Sequence, residues 1–256
     1  MDSQRKRCLN CGSEVNDSFC PHCGQSTATG RLDFKLTAKE SVSTLARVDR
    51  GFFYTAALLV SRPWLVIKDY IRGRRVPYTA PVRMLIVLCL FSLLGDSLLD
   101  TEGGHVVNQP FGYEWDSWPS AFDVVIRFYF DSMILQSLVV TIMAALAVYV
   151  VYLRYNSRRY NFAEYFTAAV YLCDAAIAAN ILLLPLSFVD GRLGSSLLFG
   201  WCAVIGILSV VRAFPIKNYG IALLTFILWS VLFILLIVLV HVIPLVFLSV
   251  VFEFNG

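Results

Sequence analysis

Four cysteines near the N-terminus have the spacing of a metal site. Residues 8–24 read CLNCGSEVNDSFCPHCG, in which two Cys-x-x-Cys-Gly turns flank the segment from Gly12 to Phe19. Such a turn points two thiolates at one ion, and its glycine permits the tight backbone geometry. Because two turns supply a closed tetrahedral ligand set, the sequence predicts a structural Zn²⁺ bound by four thiolates. The predicted ligands are Cys8, Cys11, Cys20 and Cys23.

Two alternatives to zinc stay open at this point: a dithiol redox pair and another thiophilic metal. His22 lies inside the second turn, and we interpret it as a bystander. The head is too small for a hydrophobic core of its own, so we expect the metal to supply much of its folding free energy. The other three of the seven cysteines occur singly in apolar segments, which favours a reducing compartment.

Three polar side chains within long apolar segments are further candidates: Asp174, Asn180 and His241. Ionisable groups in lipid are costly, so they suggest function by default. Asp174 lies near the middle of its segment, and His241 lies late in another, next to the helix-breaking Pro244. The competing interpretation is structural: Asp174 is then an acid hydrogen-bonded to a neighbouring helix, and His241 a packed residue.

Six basic residues precede the first long apolar run: Arg62, Lys68, Arg72, Arg74, Arg75 and Arg83. Clusters of this kind stay on the cytoplasmic side and attract anionic lipids, at about 1 kcal/mol per charge near the surface. We interpret the cluster first as a topology signal. A more remote hypothesis is an enzyme that holds lipid headgroups with four of these arginines, Arg72, Arg74, Arg75 and Arg83.

The elements that must position these residues are mostly apolar. Hydrophobic residues make up 58% of the 256 residues and charged residues 15%, whereas soluble domains have about 45–50% and about 25%. The composition therefore predicts an integral membrane protein. A formal charge of +3 is too small to suggest a nucleic-acid partner. The polar N-terminus lacks the apolar stretch of a secretory signal peptide.

The hydropathy of the segments and the helix-breaking residues between them predict an all-α membrane protein with five transmembrane helices. We expect a zinc-ribbon head (1–27), a cytoplasmic amphipathic region (28–79) and a five-span bundle (80–256). Pro63 is predicted to begin a short interfacial helix, and Gly73 to end it. Basic connections alternate with an acidic first outer loop, which puts the N-terminus in the cytoplasm and the C-terminus outside. The predicted spans are about 80–99, 133–153, 162–188, 193–214 and 220–243.

Short motifs follow the paired cysteine turns: Phe53-Tyr54-Thr55, Arg62-Pro63, Tyr70, Gly73-Arg74-Arg75 and Pro81-x-Arg83. With them, residues 8–90 resemble an uncharacterised family of bacterial membrane proteins with a zinc-ribbon head, in which Lys-Arg usually follows the glycine. The remainder more loosely resembles the Yip1-like five-span class, through Phe162-Ala163-Glu164 and Trp201. Eukaryotic members of that class act in membrane trafficking without known catalytic residues. The resemblance implies a bacterial inner-membrane location and no assigned activity.

The leading functional prediction is a non-enzymatic scaffold or adaptor. It is predicted to be non-enzymatic because the sequence shows no nucleophile elbow, no phosphate loop and no close carboxylate pair at the core of the spans. Its zinc head would make cytoplasmic contacts. Expected partners are membrane lipids, a cytoplasmic or membrane protein that docks on the head, and a second copy of the chain. The alternative is a transporter or lipid-handling protein that uses Asp174 as its intramembrane acid.

Overall fold

The computed structural model describes residues 6–27, 31–32, 50–98, 139, 141–147, 149, 160–187 and 191–214, and the single positions 227, 231 and 235. Within these residues the named elements are two short strands followed by five helices. The strands are β1 (Lys6–Arg7) and β2 (Glu14–Val15), and the helices are α1 (Arg50–Ser61), α2 (Pro63–Ile71), α3 (Pro81–Leu98), α4 (Phe162–Ser187) and α5 (Gly191–Ala213). The prediction of a mostly helical chain with a cysteine cluster near its N-terminus is confirmed.

The strands form the small antiparallel ribbon of the head, in which Lys6 pairs with Val15 and Arg7 with Glu14. A second ribbon-like contact follows, where Phe19 and Ser26 form an isolated bridge. These two pairings bring the two cysteine turns to the same end of the head.

Helix α2 has the start and stop signals that its sequence predicts. Pro63 occupies its first turn, where the missing N–H leaves no bond unmade. At the other end Gly73 adopts a φ of +92°. The N–H of Gly73 donates to the Tyr70 carbonyl at 3.1 Å, and the N–H of Arg74 donates to the Asp69 carbonyl at 2.9 Å. This is a Schellman motif, which ends the helix and turns the chain toward α3.

Helix α4 begins with a reciprocal capping box. The Asn161 side-chain oxygen accepts from the Glu164 N–H at 2.9 Å, and Glu164 accepts from the Asn161 N–H at 2.7 Å. Both interactions satisfy donors that a helix N-terminus otherwise leaves free. Glu164 is thereby fixed at the start of α4, where its charge also suits the helix dipole.

We refer to the five helices as the helical body. Helix α4 is its central element, since it packs against α1, α2, α3 and α5. Its fully buried Val170 and Tyr171 lie in one core with Val66 of α2 and Met84 and Leu85 of α3. The rings of Tyr70 and Tyr171 meet edge to face with centroids 5.4 Å apart, which is a favourable aromatic geometry. The core thus joins the short helices to the long ones.

Two helices in the described part of the chain are long and apolar enough to cross a membrane, Phe162–Leu186 and Ser196–Ala213. Helix α3 lies within the first predicted span. The helical residues 141–147 lie within the second predicted span, and positions 227, 231 and 235 within the fifth. The long helices also expose large apolar side chains, among them Leu94, Leu182 and Val204. Helical structure, high hydropathy and outward apolar side chains therefore coincide along the two candidate spans.

Candidate metal centre and its contacts with the helical body

The four predicted ligands converge in the head. The Sγ atoms of Cys8, Cys11, Cys20 and Cys23 all lie within 4.8 Å of one another. The closest pairs, Cys8 with Cys23 and Cys11 with Cys20, are each 3.5 Å apart. Tetrahedral bonds of about 2.3 Å would put sulfurs about 3.8 Å apart, whereas a disulfide needs about 2.0 Å. The residues therefore fit a single metal ion held by four thiolates.

The backbone of the two cysteine turns repeats the same pattern. The N–H of Gly12 donates to the Cys8 carbonyl at 2.9 Å, and the N–H of Gly24 donates to the Cys20 carbonyl at 2.8 Å. Both glycines have positive φ values, +78° and +73°, which side chains with a Cβ adopt only at a cost. The spacing of the turns in the sequence thus becomes two equivalent knuckles that face one ion.

The head has little apolar core besides the ligands themselves. Cys8, Val15 and Cys20 are its buried hydrophobic residues among those described, with Cys23 packed against them. Hydrogen bonds with Ser13 lower the pKa of Cys11 to about 6, whereas burial and contact with the Cys11 thiol raise the pKa of Cys20 to about 11. A metal would therefore have to displace the proton of Cys20 to bind its thiolate. A bound metal would supply the cross-link that such a core lacks.

Gln25 joins the head to the end of α2. Its side-chain NH₂ donates to the Gly73 carbonyl at 2.8 Å, and its side-chain oxygen accepts from the Arg75 N–H at 3.2 Å. Both bonds are buried, and they link residues 48 and 50 positions apart. The amide of Gln25 therefore satisfies both kinds of backbone group in the turn that leaves α2.

Leu9, in the first cysteine turn, lies directly on Gly73. A Cβ placed at Gly73 would come within 2.7 Å of the Leu9 Cδ1 atom. Gly73 consequently has two functions: it permits the left-handed turn that ends α2, and it leaves room for the head to approach the backbone. Leu9 of the first cysteine turn and Gln25, which directly follows the second turn, both contribute to this docking.

A second attachment lies at the start of α4. Arg31 donates from Nε and from its terminal nitrogen to the two carboxylate oxygens of Glu164, both at 3.1 Å. The Asn161 side chain donates to the Leu32 carbonyl at 2.8 Å, and Leu32 is buried in the main core. Glu164 is 4% exposed, whereas the Arg31 side chain is 53% exposed, so a buried carboxylate is paired with an arginine that reaches the surface.

The turn between α2 and α3 is also bonded to α1 and α4, through Thr79. Its N–H donates to the Thr55 hydroxyl oxygen at 3.0 Å, and that hydroxyl donates to the Gly51 carbonyl at 2.6 Å. The Tyr171 hydroxyl donates to the Thr79 carbonyl at 2.8 Å. The two backbone groups of one residue are thus satisfied by side chains of two different helices.

The six basic residues of the predicted surface cluster do not share one environment. Arg62, Arg72 and Arg74 are exposed and Lys68 is half-buried, whereas Arg75 and Arg83 are buried. The Arg75 guanidinium lies 5.4 Å from the centre of the Tyr70 ring, and Arg74 contacts Asp69 at 3.6 Å. Three of the six basic side chains are therefore exposed, and one of these, Arg74, is paired with Asp69.

The candidate intramembrane residues are placed as follows. Asp174 is fully buried, and neither carboxylate oxygen has a hydrogen-bond partner among the residues that the structure describes. Asn180 is half-buried on the same helix. His241 lies outside the described residues. The structure does not bring Asn180 and Asp174 into a common hydrogen-bonded group.

Sequence reasoning missed Gln25, Thr79 and the anchoring role of Glu164. The pattern Asn-x-x-Glu before an apolar run is a recognisable capping signature, and it could have identified the start of α4. No local pattern indicates that Gln25 reaches a turn so distant in the chain. Contacts of that kind depend on the tertiary fold.

Comparison with known proteins finds a family model that matches part of the chain. A family model described as "Protein of unknown function (DUF3667)" matches residues 49–93. That segment contains α1, α2, most of α3 and the turn at residues 72–80 between α2 and α3, on which the head docks and which we call the docking turn. No curated protein and no solved structure matches the chain. The similarity thus covers the turn against which Leu9 and Gln25 dock, and it does not extend to the start of α4, where Arg31 and Leu32 attach.

Proposed function

We propose that the chain is a multi-pass membrane protein that acts as a non-enzymatic scaffold or adaptor, with a structural zinc head fixed at the membrane junction. The observation that carries the proposal is the docking of a closed four-cysteine site on the turn after α2, through Gln25. A four-thiolate site leaves no coordination position for a substrate. Bound zinc would supply a cross-link for the head, and the chain would hold that head in a fixed orientation.

The proposed topology has five spans, with the N-terminus in the bacterial cytoplasm and the C-terminus outside. Two long apolar helices and the outward-facing leucines and valines support a membrane location. Exposed Arg62, Arg72 and Arg74 near the docking turn suit a cytoplasmic surface with anionic lipid. A C-terminal fusion to a reporter active only in the cytoplasm should stay silent. A strong cytoplasmic signal would contradict an odd number of spans.

The fixed head would present its outer face to a partner. Phe19 of the head is 63% exposed, and exposed aromatic side chains are frequent anchors in protein interfaces. Mild extraction of the tagged protein, followed by mass spectrometry of what remains bound, tests this role. A stoichiometric partner protein that is lost in the Cys20→Ser, Cys23→Ser variant would support a docking head. A lone protein that carries a specific lipid or small molecule, unchanged in the variant, would contradict it.

Asp174 supports a second candidate function, that of a transporter or lipid-handling protein. A carboxylate without a partner in a low-dielectric interior costs several kcal/mol, so a fully buried Asp174 would have to take up a proton or a cation. Asp174→Asn keeps the shape and removes the ionisable group. Loss of function at a normal membrane level would favour transport, whereas an unchanged phenotype would favour the scaffold.

A further inference from the structure

The head and the helical body meet at two separate attachments, one at each end of a short segment. Gln25 contacts Gly73 and Arg75, and the pair Arg31–Leu32 contacts Asn161 and Glu164. We refer to the contacts made by Gln25, Arg31 and Leu32 as the clasp. They connect the C-terminal end of α2 with the N-terminal end of α4.

The first attachment is built on the second cysteine turn. The Gln25 carbonyl accepts from the Cys20 N–H at 2.8 Å, so the backbone of Gln25 closes the turn that holds Cys20 and Cys23. Thr27 extends this pairing through its N–H to Ser18 and its hydroxyl to Asp17, both at 2.9 Å. The position of the Gln25 side chain consequently depends on the same backbone that positions two ligands.

The head has few other means of keeping that backbone in place. Its buried apolar residues are few, and small four-cysteine domains lose their folded structure when the metal is removed. We infer that the metal centre locks the Gln25 end of the clasp: with metal bound, Gln25 holds the turn that follows α2, and loss of metal releases it.

Release would affect the helical body as well as the head. Gln25 bonds to Arg75, which lies in the turn between α2 and α3. Thr79 lies in the same turn, and its backbone is hydrogen-bonded to side chains of α1 and α4. Without Gln25, the Arg75 N–H and the Gly73 carbonyl lose their partners in a buried position, and buried backbone groups must find others. The occupancy of the metal site would thereby control the turn that joins the short helices to α3.

Hydrogen–deuterium exchange on the full chain in lipid nanodiscs tests this inference, which rests on the metal-binding head of the proposed function. Exchange at the Arg75 amide is measured before and after a chelator removes the metal, with metal content determined on the same samples. We expect the Arg75 amide to exchange about tenfold faster or more after metal removal, because local opening controls exchange.

Two variants separate the clasp from the fold of the head. Gln25→Ala should keep its metal and show fast exchange at Arg75, because it removes the clasp contact alone. Thr27→Val is the matched control, since it removes the hydroxyl bond to Asp17 inside the head and should keep Arg75 protected. Unchanged exchange at Arg75 after metal removal would overturn the inference, and it would not contradict the metal-binding head of the proposed function. Absence of metal from the purified protein would overturn both.

Discussion

Replacing Tyr171 with Phe should destabilise the junction between α4 and the turn before α3. The change removes the hydroxyl that donates to the Thr79 carbonyl at 2.8 Å and keeps the ring against Tyr70. Since Tyr171 and Thr79 are both buried, the carbonyl would stay without this donor. Leaving one such group unsatisfied costs about 1–3 kcal/mol, which is a factor of about 5 to 150 in the unfolding equilibrium.

Reversible unfolding in mixed micelles, followed by tryptophan fluorescence, measures this free energy. Tyr54→Phe is the matched control, because Tyr54 is 51% exposed and stacks on Tyr78 without a hydroxyl bond that the structure describes. The control should lie within about 0.5 kcal/mol of the parent protein. A Tyr171→Phe variant as stable as the control would refute the assigned hydrogen bond.

Three further predictions concern the docking turn and the head. Gly73→Ala should lower the free energy of unfolding by about 1 kcal/mol or more, because φ is +92° there. Gly206→Ala, which places its Cβ in open space, should cause no loss in the same micelle unfolding assay. Cys20→Ser should abolish metal binding in elemental analysis, and full occupancy would rule out the four-cysteine site. Burial and the nearby Asp69 carboxylate raise the pKa of Tyr78, so its stabilising contribution is present at neutral pH and is lost as the pH rises past about 10, where the unfolded tyrosine ionises. The free energy of unfolding of Tyr78→Phe, taken from denaturation curves, should therefore fall less above about pH 10 than that of the parent protein. An equal fall in both proteins would contradict the raised pKa of Tyr78.

Much of the local structure follows from sequence, because local signals act within a few residues. Pro63 lies in the first turn of α2 and Gly73 lies in the turn that ends it, as the backbone preferences of proline and glycine predict. The cysteine spacing predicts the converging ligand set, since each Cys-x-x-Cys turn is a self-contained unit. These features depend on covalent geometry and on hydrogen bonds that span few residues.

The attachments between distant segments could not be predicted in this way. The contact of Arg31 with Glu164 joins residues 133 positions apart, and nothing near either residue specifies its partner. The basic cluster illustrates the same limit: its charges predict a surface, yet Arg75 and Arg83 are buried. The sequence shows which residues are charged, whereas the burial of each residue depends on which helices pack around it.

The metal content and ligand set of the purified full-length protein test the central claim most directly. Elemental analysis combined with X-ray absorption spectroscopy at the zinc edge gives both. The proposal predicts one zinc per chain with four sulfur neighbours at about 2.3 Å. A metal-free protein that keeps its head folded, or a metal with oxygen or nitrogen neighbours in place of sulfur, would contradict it.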